Sequence, residues 1–170
     1  MEFLVAIMLL KFPALFFTDR AGELTVLEYS YVMALADGHK QSGKAKLFTQ
    51  DTYFRLEAGQ FRVVNDAVGC WIMDGSSKEA VVYNPMEVNL ETSPEHMMEL
   101  MGMNPRKAAL NVKYDDSGLI SYLSALTEDG VRLELNLRSA SRKTALPEAE
   151  MFFDPASLNP KIWVITDLRD

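Results

Sequence analysis

The chain has 170 residues, of which 48% are hydrophobic and 24% are charged, and its formal net charge is −7. This length and balance predict one folded domain rather than a disordered chain. The acidic charge argues against a nucleic-acid-binding protein, because phosphate backbones are held by clustered Lys and Arg. Cys70 is the only cysteine, which excludes an intramolecular disulfide and a multi-cysteine zinc site.

The amino-terminal residues 3–17 are apolar except for Lys11 and are interrupted by Pro13. They are too short for a membrane span, which needs about 20 apolar residues. Their length fits the apolar region of a secretory signal, although Glu2 stands where a basic residue is usual. We therefore expect residues 1–18 to be an export signal and residues 19–170 to form a single domain. A structural first helix and a chain start assigned too early are the alternatives.

Short apolar runs separated by tight-turn signals fill residues 24–83, and almost nothing there has helical periodicity. Glu23 to Ala36 reads as a long first strand, and AspGly at 37–38 begins the turn that follows it. The connections are too short for parallel crossovers, so we expect consecutive strands to pair antiparallel.

The second half of the sequence repeats this pattern. ALNVKYD turns at DDSG into LISYLSAL, which turns at EDG into VRLELNLRSA, and KIWVITDL forms a final strand. In VRLELNLRSA, apolar residues 131, 133, 135 and 137 alternate with polar ones, which predicts one dry and one wet face. About nine or ten strands in total predict a strongly curved, open sheet or an incomplete barrel.

One helix is predicted, in SPEHMMELMGMNP. Ser93 is a favourable N-cap, Pro94 suits the first helical position, and AsnPro at 104–105 ends the helix. Its methionines include Met97, Met98 and Met101, and such flexible side chains suit a lid over ligands of varied shape. Simple packing of these methionines on the sheet is the alternative. The predicted fold class is thus α+β, mainly antiparallel, with a helical lid.

The sequence lacks the motifs of common catalytic and nucleotide sites, such as HExxH, GxSxG and a phosphate-binding glycine loop. His39 and His96 have no partner at metal-ligand spacing, and the Asp residues at 74, 115 and 116 fit turn positions. We expect neither an enzyme nor a cofactor.

Four segments together resemble the LolA-like proteins, periplasmic carriers of outer-membrane lipoproteins, in the form found in Bacteroidetes-type bacteria. They are GKAKLFTQDTYFRLEAGQFRVVND, CWIMDGSSKEAVVYNP, TSPEHMMELMGMNPRKAAL and EMFFDPASLNPKIWVITDLR. The resemblance implies an incomplete barrel covered by helices, with a hydrophobic cavity for acyl chains. It also implies a periplasmic, monomeric carrier that meets other envelope transport proteins.

Two positions depart from the family pattern. Classical members have a basic residue after the second strand that helps to hold the lid closed, whereas this chain has Thr49-Gln50-Asp51. The family's Asp-Gly before the tryptophan strand is Asp66-Ala67 here. A lid latch of the classical kind is therefore not expected.

The predicted cavity lining comes from the lid and from one side of the sheet. The lining residues are Tyr31, Met33, Phe48, Phe54, Phe61, Val63, Trp71 and Met73 on the sheet, with Met97, Met98 and Met101 on the lid. Each has an ordinary core role as its alternative. A carrier of lipoprotein acyl chains or other lipids is the leading hypothesis. The rivals are an envelope module that binds a peptide or protein, and a structural envelope protein tethered by an uncleaved amino terminus.

Overall fold

The computed structural model describes residues 22–85, 109–127 and 130–170. These residues form one sheet of ten strands in the order β10-β6-β5-β4-β3-β2-β1-β9-β8-β7. The strands are β1 (Glu23–Ala34), β2 (Lys40–Gln50), β3 (Tyr53–Ala58), β4 (Phe61–Asn65), β5 (Cys70–Asp74), β6 (Glu79–Tyr83), β7 (Ala109–Tyr114), β8 (Ile120–Leu126), β9 (Arg132–Thr144) and β10 (Val164–Asp167).

The sheet consists of two meanders joined side by side. Strands β1 to β6 pair with their sequence neighbours, β7 to β9 do the same, and β9 pairs with β1. All of these pairings are antiparallel, which confirms the expectation from the short connections. Strand β10 lies beside β6 and runs parallel to it, with Val164 opposite Glu79. The sheet is curved and open, with β10 and β7 at its two edges.

Tight turns set the register of the hairpins. In the β7–β8 turn, the Asp115 carboxylate accepts hydrogen bonds from the backbone of Ser117 and Leu119, and Gly118 adopts a φ of 81°. The Asp74 carboxylate binds the Ser76 backbone and hydroxyl in the β5–β6 turn in the same way. Both aspartates are the turn residues that the sequence predicts.

Two short 3₁₀ turns, Glu148–Met151 and Pro155–Ser157, are the helical elements of the described residues. The methionine-rich helix predicted over residues 93–104 and the apolar segment 1–18 lie outside the described residues. The lid and the export signal therefore remain predictions.

Candidate functional site

The two faces of the sheet are distinguished by pairing, because directly opposed residues project to the same side. Tyr31 pairs with Leu135, which pairs with Leu123, and these three residues define the Tyr31 face. Trp71 pairs with Val64 and Val82, and these define the opposite side, the Trp71 face.

The Tyr31 face carries the larger apolar cluster. Its buried members are Leu27, Tyr29, Tyr31, Met33, Ala45, Leu47, Phe54, Leu56, Ala58, Phe61, Val63, Cys70, Leu119, Ile120, Leu123, Ala125, Leu133 and Leu135. Every member lies on a strand or next to one. Among the described residues, the strands therefore form this surface with no connecting segment packed into it.

The sequence-predicted lining residues divide between the two faces. Tyr31, Met33, Phe54, Phe61 and Val63 belong to the cluster on the Tyr31 face. The structure brings these five residues onto one continuous surface.

The other three sheet residues lie on the Trp71 face. Trp71 and Met73 belong to the smaller cluster there. Phe48 lies opposite Arg55, whose guanidinium is 3.9 Å from the centre of the Phe48 ring. These side chains cannot share a surface with Tyr31, because they project from the other side of the sheet. Met97, Met98 and Met101 lie outside the described residues.

The Tyr29 hydroxyl and the Cys70 thiol are among the polar groups enclosed in the Tyr31 face. The Tyr29 hydroxyl donates to the Ile120 carbonyl oxygen at 2.9 Å and so connects β1 to the start of β8. Burial raises the pKa of Tyr29, with a further contribution from Asp115. Burial, with the negative charge of Asp66, likewise raises the pKa of the Cys70 thiol to about 12. Cys70 is therefore neutral at physiological pH and behaves as a small hydrophobic residue.

On the Trp71 face, a C-terminal segment of the chain packs over strands β4 to β6. Residues 145–163, here called the C-terminal strap, contribute Leu146, Met151, Phe153, Leu158 and Trp163 to the cluster around Trp71. The Phe153 and Trp71 rings lie 4.9 Å apart, in a tilted arrangement. On this side, the apolar surface is thus closed by the chain itself.

Two buried polar residues fasten the strap. The Gln50 side-chain amide donates to the Leu146 carbonyl oxygen and accepts from the Leu146 N–H. One Asp66 carboxylate oxygen accepts from the backbone N–H groups of Val68 and Gly69, while the other accepts from the Phe153 N–H at 2.8 Å. The sequence marked both positions only as departures from a family pattern, and their role as anchors was missed.

Arg169 closes the edge of the same cluster. Its guanidinium lies 5.8 Å from the centre of the Trp71 ring and forms an ion pair with Asp167 at 2.6 Å. The hydrogen bond and charge of Arg169 lower the pKa of Asp167 to about 2. The ion pair stays within the C-terminal segment, whereas the contact of Arg169 with Trp71 and the backbone pairing of β10 with β6 join this segment to the rest of the sheet.

Within the described ranges, no group of three or more His, Cys, Asp or Glu side chains is arranged to hold a metal ion. A search of the same residues found no helix of the length and apolar character needed to cross a membrane.

The chain is similar to known proteins in structure but matches none of them by sequence. No protein-family model and no curated protein matches the chain. The chain is similar to a conserved protein from Thermus thermophilus at 13% identity and a TM-score of 0.49, covering 88% of this chain and 91% of that one.

It is also similar to a LolA superfamily protein from Nitrosomonas europaea, at 6% identity and a TM-score of 0.46, covering 87% of this chain and 97% of that one. A third similar structure is an outer-membrane lipoprotein-sorting protein domain from Vibrio parahaemolyticus, at 10% identity and a TM-score of 0.42. This last alignment covers 86% of this chain and 95% of that one.

Proposed function

We propose that this protein is a non-enzymatic periplasmic carrier that binds lipoprotein acyl chains, or related lipids, against the Tyr31 face for transfer to the outer membrane. One observation carries the proposal. The Tyr31 face is a continuous apolar surface made by the strands, whereas the described connecting segment, the C-terminal strap, packs on the opposite side. Acyl chains need such a surface, and the sequence resemblance to LolA-like carriers agrees with this use.

The energetics suit a carrier that must also release its cargo. Burying each methylene of an acyl chain contributes about 0.8 kcal/mol, so even partial insertion of a long chain gives useful affinity. The predicted cover by Met97, Met98 and Met101 would adapt to chains of different length, because methionine has flexible torsions and a polarizable sulfur. We therefore propose a deformable cavity between the sheet and this segment.

A second candidate function is a binding module for a peptide or another envelope protein. Strand β10 lies at one edge of the sheet, and its residues are exposed, including Val164 at 63% and Ile165 at 40%. An extended segment of a partner could add a strand at this edge, with backbone hydrogen bonds supplying the affinity.

The carrier proposal is tested by purifying the protein without detergent and measuring binding of a fluorescent palmitoylated peptide, with native mass spectrometry for co-purified lipid. The test variant replaces Ile72 and Leu137, which are partly buried at the margin of the Tyr31 face, with Gln. The control replaces Val32 and Ile162, which are exposed and lie outside that cluster, with Gln.

We expect uptake of the peptide by the wild type and the control, and affinity weaker by about tenfold in the test variant, because a loss of about 1.4 kcal/mol of apolar contact has that effect. Circular dichroism establishes that both variants are folded. Equal binding by the two variants, or a wild type that takes up no acylated peptide, would exclude the carrier. Capture of an unacylated peptide along β10 would favour the binding module.

A further inference from the structure

A basic patch occupies the Trp71 face at the centre of the sheet, and one of its members, Lys143, lies two residues before the C-terminal strap. It lies on strands β2 and β9, which flank β1. Its members are Lys40, Lys44, Lys46, Arg132, Arg138 and Lys143. Strand pairing places them on one side, since Lys40 and Arg132 both oppose Ala34, and Lys44 opposes Ser30. On these three strands, Glu28 and Glu134 are the acids of that face.

The charge of this patch is positive, whereas the net charge of the protein is negative. The whole chain has a net charge of −7, yet cations clearly outnumber acids on this surface. If these charges served only to solvate an acidic protein, there would be no reason for the basic residues to cluster on one face. A local surface of inverted sign instead attracts an anionic partner and orients the protein as it approaches.

Most of the cationic groups are available for such a partner. Lys46 forms an ion pair with Glu28 at 3.2 Å, but the other five form no ion pair with any described residue. Arg138 Nε donates to the Ser30 hydroxyl oxygen at 2.7 Å, which fixes the guanidinium while leaving its terminal nitrogens free for another acceptor.

A concavity of about 800 Å³ lies between these groups. Lys44, Lys46 and Arg138 contribute to its lining, together with Ser30 and the carboxylates of Glu28 and Glu57. Both carboxylates already have ion-pair partners, Glu28 with Lys46 and Glu57 with Arg55 and Arg62. Cationic donors around a concavity of this size can surround a phosphate group, which accepts charge-assisted hydrogen bonds from both Lys and Arg.

We propose that the basic patch docks the protein on an anionic membrane surface through the phosphate groups of lipid headgroups. Lysine is depleted from the cores of protein–protein interfaces, whereas four of the six members of this patch are lysines. Clusters of four to eight Lys and Arg are instead typical of surfaces that bind anionic lipids. Val32, exposed at 41% within the patch, is compatible with a shallow headgroup contact.

The proposal does not depend on acyl binding, because the patch and the Tyr31 face lie on opposite sides of the sheet. The membrane would attract the carrier through the Trp71 face, and the Tyr31 face would point away from the membrane.

Co-sedimentation of the full chain with vesicles tests the proposal. The vesicles contain phosphatidylcholine alone or mixed with phosphatidylglycerol, at low and high salt. The test variant is Lys44→Gln/Arg138→Gln. The matched control is Lys78→Gln/Lys161→Gln, which removes the same charge from positions near the C-terminal strap rather than from the patch.

We expect the wild type and the control to bind vesicles with phosphatidylglycerol at low salt, and the test variant to bind at least fivefold more weakly. Binding should be lost with phosphatidylcholine alone and should weaken at high salt, because exposed charges are screened. Equal binding by the two variants, or no vesicle binding by the wild type, would overturn the proposal. Retention on polyglutamate beads without vesicle binding would instead assign the patch to an acidic protein partner. Unchanged uptake of the palmitoylated peptide by the test variant keeps this result separate from the carrier test.

Discussion

The Gln50 side-chain amide pairs with both the backbone N–H and the backbone carbonyl of Leu146, across 96 residues of sequence. Its Nε2 donates to the Leu146 carbonyl oxygen at 3.1 Å, and its Oε1 accepts from the Leu146 N–H at 2.7 Å. The amide thus imitates a strand neighbour at the point where the chain leaves β9 for the strap. Gln50, the last residue of β2, therefore attaches the C-terminal strap to the sheet.

Replacing Gln50 with Leu should destabilise the protein by about 1–3 kcal/mol, because the peptide groups of Leu146 lose their partners in a part-buried setting. Urea unfolding measures this change, and limited proteolysis should show earlier cleavage within residues 145–163. Gln41→Leu is the matched control. The Gln41 Oε1 is buried and has no hydrogen-bond partner within the described part of the chain, so its removal should be neutral or stabilising. Equal destabilisation by the two substitutions would contradict the anchoring role of Gln50.

The Asp66 carboxylate accepts hydrogen bonds from its own loop and from Phe153 of the strap, and Asp66→Asn should remove only the second. The amide oxygen can still accept from Val68 and Gly69, but the amide nitrogen would then face the Phe153 N–H, donor against donor. We expect a loss of about 1–3 kcal/mol in the free energy of unfolding and greater hydrogen exchange at Phe153. Unaltered exchange at Phe153 would show that this hydrogen bond does not hold the strap.

Gly43 and Tyr31 should show strong energetic coupling. A Cβ atom at Gly43 would lie 2.6 Å from the Tyr31 hydroxyl oxygen and 2.7 Å from its Cζ, so the ring must shift in Gly43→Ala. Overpacking of this kind typically costs about 1–3 kcal/mol. In a double-mutant cycle, Gly43→Ala should cost less when Tyr31 is already Leu. Additive effects would mean that the ring does not pack on Gly43.

Asp167 makes stability depend on pH at the acidic end. Its pKa is about 2 in the folded protein, below its ordinary 3.8, because Arg169 stabilises the charged form. The stabilising contribution is therefore complete above about pH 4 and is lost as the pH falls towards 2. Asp167→Asn should remove this part of the pH dependence. An NMR titration of the Asp167 carboxyl that gave an ordinary pKa would refute this.

Cys70 should react slowly with thiol reagents in the folded protein. It is buried, with 2% of its surface exposed, and its pKa is raised to about 12. Labelling by iodoacetamide at pH 8 should therefore proceed through opening of the sheet and accelerate sharply in urea. Rapid labelling without denaturant would show that the β5 region of the Tyr31 face is open to solvent.

The strands and turns were predictable because their signals are local. Alternation in β9 correctly placed Leu133 and Leu135 on a buried face, and DDSG correctly marked the β7–β8 turn. The sequence predicts a final strand in KIWVITDL, but its parallel pairing with β6 was not predictable, because Val164 and Glu79 are 85 residues apart and no local signal specifies the partner.

The face of each strand was predictable only where one side is clearly polar. In β5, Trp71 and Met73 alternate with apolar Cys70 and Ile72, so the sequence alone does not reveal which set faces the Tyr31 cluster. Strand pairing assigns Trp71 and Met73 to the strap side. A shift of one residue exchanges the faces, which is why the sequence-based lining set mixed the two.

Photo-crosslinking can show whether acyl chains bind the Tyr31 face. A palmitoylated peptide with a photoreactive group near the end of its acyl chain is bound, irradiated and mapped by mass spectrometry. We expect labels on residues of the Tyr31 face, with the β9 segment that contains Leu133 and Leu135 among the modified peptides. Labels confined to the strap or to the β10 edge, or the absence of saturable labelling, would contradict an acyl-binding Tyr31 face.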